Sequence, residues 1–81
     1  MKTINSLIAQ AMKNGFESYG NFRTEEDDIQ CEILTCTKGI FSGENIEINY
    51  VYGSGAIKSI NQYCQFPESH PHYSPVKFKF N

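Results

Sequence analysis

The chain has 81 residues, 40% apolar and 20% charged, with a formal net charge of −2 and a pI near 5.6. That length sets an expectation of one domain with a single modest core, burying about 60–65% of the surface its unfolded form exposes, and the composition excludes a disordered chain. The acidic balance argues against general DNA or RNA binding, which needs a basic excess to neutralise phosphates.

Ile4, Leu7, Ile8, Ala11 and Met12 recur at helical spacing, so residues 4–14 read as an amphipathic helix with Thr3 as N-cap and Gly15 just past its end. Three turns are too few to be stable alone, so the stripe has to pack on something. Residues 16–23 alternate loosely and read as a first, irregular strand. The acidic break of Glu25, Glu26, Asp27 and Asp28 follows. Ile29, Cys31 and Ile33 then alternate with Gln30, Glu32 and Leu34, predicting a strand with its odd positions inward. Gly39 and Gly43 bracket a turn that holds Ile40 and Phe41. Ile46, Ile48, Tyr50 and Tyr52 alternate with Glu47, Asn49 and Val51, the clearest strand in the sequence.

Gly53-Ser54-Gly55 marks a second turn. Residues 56–66 fit both a helical face (Ile57, Ile60, Cys64) and a strand face (Ile60, Cys64, Phe66); the tight glycine turn favours a second hairpin. Three prolines break residues 67–75, and Val76, Phe78 and Phe80 alternate with Lys77 and Lys79 as a short final strand. Nine Ile, six Phe and five Tyr against two Leu and two Val also favour sheet. The expected fold is α+β, one N-terminal amphipathic helix packed on a four- or five-stranded antiparallel sheet. The expected inward set is Ile4, Leu7, Ile8, Met12, Ile29, Cys31, Ile33, Ile46, Ile48, Tyr50, Phe78 and Phe80.

Chemistry-bearing motifs are sparse. Three cysteines (Cys31, Cys36, Cys64) and no signal-like start argue for a reducing cytoplasm rather than a disulfide scaffold. Cys31 and Cys36 are five apart on a strand and point to opposite faces, and the Cys64, Glu68, His70, His72 run has no zinc spacing, so no metal is expected. His70 and His72 form the only candidate acid–base pair in the sequence, with no nucleophile or oxyanion loop beside them. Residues 52–59 superficially resemble a phosphate loop, but the full pattern and its βαβ context are absent. The expectation is therefore no catalytic residue and no cofactor.

Two features exceed what the fold requires. Glu25, Glu26, Asp27 and Asp28 are the densest charge and suit an anionic knob for an Arg/Lys-lined groove. Ile40 and Phe41 at a hairpin tip suit anchors for a partner pocket, beside that knob, and the surplus tyrosines Tyr19, Tyr63 and Tyr73 suit the same interface. The charge is also uneven: from Glu17 to Glu47 there are eight acids and two bases, and beyond Glu47 one acid and three lysines. The expectation is a small acidic protein–protein interaction domain, an inhibitor or adaptor binding a basic partner such as a nucleic-acid-binding protein. Anti-CRISPR and toxin-immunity proteins are of this size and charge. A small enzyme or metal module at His70 and His72 is the alternative.

Overall fold

A computed structural model of the chain describes residues 3–24, 28–71, 73 and 77–80, and among these the one helix is α1 (Ile4–Lys13). Reciprocal bonds start it: the Ser6 N–H donates to Thr3 Oγ1 at 3.4 Å and the Thr3 N–H to Ser6 Oγ at 3.1 Å. Together they satisfy two donors that the first turn leaves without helical partners. At the far end the Asn14 and Gly15 N–H groups donate to the Ala11 and Met12 carbonyls, and Gly15 takes a φ of +97° to turn the chain away. Ile4, Leu7 and Ala11 are buried and Ile8 is half-buried. Met12, expected inward, is 53% exposed. At 3.6 residues per turn it stands about 80° around the axis from Ile4, whereas Ala11 stands about 20° away and takes the inward place.

Four antiparallel strands follow in the order β1-β2-β3-β4: β1 (Phe16–Arg23), β2 (Ile29–Cys36), β3 (Glu44–Val51) and β4 (Ile57–Cys64). Residues 57–64 are thus strand, paired along β3 from Glu44↔Cys64 to Tyr50↔Ile57. Residues 77–80 are not a fifth strand. They form an extended segment held by side chains: the Phe78 N–H donates to Glu44 Oε2 at 2.8 Å and Gln62 Nε2 donates to the Phe78 carbonyl at 2.6 Å.

Strand register assigns the faces. Leu34 pairs with Ile46, and both are fully buried in one cluster with Leu7, Ala11, Phe16, Cys36, Ile48 and Phe78. The even positions of β2 therefore face the helix, opposite to the expectation from Ile29, Cys31 and Ile33. Those three lie on the other side of the sheet, where Ile29 and Cys31 are buried as expected, Cys31 in a row between Phe22 and Asn49, and Ile33 is half-buried. The misleading signal is that β2 is apolar on both faces while its helix-side face includes Glu32. That carboxylate is 7% exposed and accepts from Ser18 Oγ at 3.1 Å.

The 37–43 turn closes on the core. Gly43, at φ +90°, donates its N–H to the Cys36 carbonyl, and a Cβ there would stand 2.6 Å from the Phe66 ring, so only glycine fits. Phe41 folds back, its ring centroid 6.1 Å from Phe16 and 5.5 Å from Phe78. Residues 52–56 form the β3–β4 turn, and no helix starts there as a phosphate loop would require. The Gly55 carbonyl accepts from the Ile4 N–H at 2.9 Å, tying that turn to the start of α1.

Candidate docking surface

The side of the sheet away from α1 is built of four cross-strand rows. Glu17, Thr35, Asn45 and Tyr63 form the first; Gly20, Ile33, Glu47 and Asn61 the second; Phe22, Cys31, Asn49 and Ser59 the third; Ile29 and Val51 begin the fourth. A register shift between Ser18 and Gly20 bulges Tyr19 out between the first two rows. No described helix or strand lies over this face. Tyr19 is 77% exposed, Phe22 52% and Tyr63 37%, more than any residue of the helix-side cluster.

Tyr19 and Tyr63 wall a notch of about 210 Å³ with Ile33, Thr35 and Asn45 as its floor and Gln65 at its margin. Its polar groups are already oriented. Thr35 Oγ1 donates to Asn45 Oδ1 at 2.7 Å, and the Tyr63 hydroxyl donates to Glu47 Oε2 at 3.1 Å. At the other end of the same face Asn49 Nδ2 donates to Ser59 Oγ at 3.1 Å. Around the notch the surface is thus made of uncharged polar groups, tyrosines and the carboxylates of Glu17 and Glu47, while Phe22 and Lys58 stand toward the other end of the face.

The residues singled out from the sequence are placed differently. Glu25, Glu26 and Asp27 lie outside the described residues. Asp28 is exposed, in the left-handed region at φ 59°, and its carbonyl accepts from the Tyr52 N–H at 2.6 Å. Ile40 is 69% exposed at the β2–β3 turn, whereas Phe41 is half-buried against the core. Asp28 and Ile40 stand at opposite ends of β2, separated by about 24 Å of strand, so these two residues are not side by side. The open face was missed because its residues read singly as ordinary strand polar positions. The surplus tyrosines suited an interface from the sequence alone, but one shared with Ile40 and Phe41, and nothing there set Tyr19 and Tyr63 on one face.

The alternative chemistry gains little from the geometry. His70 stacks on Phe66 with centroids 4.4 Å apart and planes at 17°, and His72 lies outside the described residues. Burial pushes the Cys31 thiol above its ordinary value, with the Glu47 and Glu32 charges adding to the effect, which makes it a poor thiolate for metal or nucleophilic work. Cys36 donates to the Lys38 carbonyl at 3.0 Å, and all three cysteines are unpaired. Among the described residues no three His, Cys, Asp or Glu side chains gather into a metal-holding group, and no helix is long and apolar enough to cross a membrane. In comparisons with known proteins, no family model matches this chain, and neither a curated protein nor a solved structure matches it.

Proposed function

We propose that this chain is a small protein-binding domain acting by stoichiometric contact, as an inhibitor or adaptor, and that it lays its open sheet face on a basic partner surface. The observation that carries the reading is the notch between Tyr19 and Tyr63, on a face whose nearest charges are Glu17 and Glu47. A cavity of about 210 Å³ takes one long side chain. Tyrosine faces attract a cation, most often Arg, and the carboxylates in the adjoining rows favour the same charge. The surrounding Asn, Thr, Ser and Tyr side chains supply adaptable hydrogen bonds and rigid contact area at low entropic cost, the composition of many protein-recognition surfaces.

The acidic residues of positions 25–28 carry the same sign and steer the encounter rather than anchor it. A reducing compartment such as the cytoplasm suits three unpaired cysteines.

The test is a two-dimensional NMR titration with a blocked tripeptide carrying a central arginine, alongside its citrulline counterpart, which keeps the shape and removes the charge. The expected result is selective shifts at Tyr19, Ile33, Thr35 and Tyr63 with arginine only, weakened by Tyr19→Ala. Equal responses to the two peptides, or shifts confined to other surfaces, contradict the reading.

A further inference from the structure

On the helix side of the sheet lies a second concavity of opposite charge. A cleft of about 670 Å³ opens between the last turn of α1 and the C-terminal segment, with Lys13, Lys77 and Lys79 around it and Phe41 and Phe78 in its wall. The amides of Gln10 and Asn14 join the lining, and none of the described lining residues is acidic. Three of the seven basic residues of a chain with net charge −2 thus meet at one place.

The fold forces this convergence. Phe78 is buried and Phe80 packs against the core, so the alternation of an extended segment turns Lys77 and Lys79 outward together. Lys13 closes α1 at the same end of the sheet. The acid that acts on Lys77 is Glu44, but its carboxylate is buried and already accepts from the Phe78 N–H and from Gln62. The carbonyls at the end of α1, which would repel an anion, are largely occupied: Asn14 Nδ2 bonds the Gln10 carbonyl at 2.8 Å, and the Asn14 and Gly15 N–H groups bond those of Ala11 and Met12.

We propose that this cleft binds a small organic phosphate with two or more negative charges, its phosphates among the three lysines and its ring or chain against Phe41. Lysine binds phosphate as a point charge, and three of them match a multiply charged group better than a single carboxylate. The volume falls in the range of about 300–1,000 Å³ common for small-ligand sites. The proposal does not rest on the docking face, which lies on the other side of the sheet.

The experiment is an NMR titration at low salt with three probes: ATP, inorganic pyrophosphate and adenosine. ATP is expected to shift Lys13, Asn14, Phe41 and residues 77–79, pyrophosphate the same set with weaker affinity, and adenosine nothing. The triple variant Lys13→Gln, Lys77→Gln, Lys79→Gln changes only exposed side chains; its spectrum away from the cleft is expected to match the wild type while ATP affinity falls at least tenfold. Tyr19→Ala is expected to leave ATP binding unchanged. Shifts spread equally over Lys38 and Lys58, or a triple variant that binds ATP as the wild type does, would overturn the site. Pyrophosphate binding as tightly as ATP would overturn the organic carrier.

Discussion

On the helix side of the sheet one cross-strand row reads Ser18, Leu34, Ile46, Gln62; on the other side the adjoining row reads Gly20, Ile33, Glu47, Asn61. Leu34 and Ile33 are neighbours in sequence and nearly equal in hydrophobicity, yet Leu34 is fully buried and Ile33 is only half-buried. The difference comes from the second layer. Phe16, Leu7, Ala11 and Phe78 close over the Leu34 side, and no described element closes over the Ile33 side. The continuous buried cluster thus forms where α1 and the C-terminal segment are fastened, while on the other face Ile29 and Cys31 are buried at the end away from Tyr19 and Tyr63. A face left without that layer, but still carrying tyrosines and an isoleucine, is available for a partner.

The contrast is sharpest in side-chain truncation. Ile48→Ala, on the covered face and fully buried, is expected to cost about 2–5 kcal/mol, a large share of the stability of so small a domain. Ile33→Ala, half-buried on the open face, is expected to cost under about 1.5 kcal/mol, because less surface returns to water. Denaturant unfolding of both variants measures the gap, and equal costs would erase the distinction between the faces.

The C-terminal segment is the second of the two covers, and Glu44 fastens it. Glu44→Ala leaves the buried Phe78 N–H without its acceptor and is expected to cost about 1–3 kcal/mol. Phe78 should then lose protection in hydrogen exchange before residues of α1 do. Loss of protection in both at once would mean that the two covers act as one unit.

A smaller effect follows from the same carboxylate. Burial raises the Glu44 carboxyl above its ordinary value, with the Phe78 N–H, Gln62 and the Lys77 charge pulling part of the way back. A raised value in the folded state means that the fold holds this proton to higher pH than the unfolded chain does. The stability it contributes is therefore fully present below the unfolded pKa and is lost as pH rises through the folded one. Unfolding midpoints measured upward from the ordinary carboxylate range should fall in the wild type, and the part of the fall due to Glu44 should vanish in Glu44→Gln. Identical slopes in the two proteins would contradict the assignment.

Much of this architecture was legible in the sequence. The alternation of Ile46, Ile48 and Tyr50, together with the glycines at 53 and 55, marked β3 and its turn because one face there is apolar and the other polar. The four-stranded antiparallel sheet with one helix is the expected α+β arrangement. The register of β2 was not legible, since Cys31, Ile33 and Leu34 make both faces apolar, and the buried carboxylates of Glu32 and Glu44 mark core positions with a residue type that normally signals solvent. Only the partners Ser18, Gln62 and Phe78 explain them, and these are distant in sequence. Phe78 was assigned inward correctly, but as part of a strand, because alternation does not distinguish a hydrogen-bonded strand from an extended segment pinned by side chains. The notch was illegible for a related reason: Tyr19 and Tyr63 are 44 positions apart and meet only through β2 and β3.

We propose that the helix-side face supplies most of the stability and that the open face binds the partner protein. The most direct test is one sample, the double variant Tyr19→Ser, Tyr63→Ser, measured for unfolding and for binding of the arginine tripeptide. Surface changes of this kind usually fall within about 0.5 kcal/mol each, so the expected result is a loss of stability under about 1 kcal/mol with binding of the tripeptide abolished. A loss approaching that of Ile48→Ala, or tripeptide binding that survives, would contradict the account.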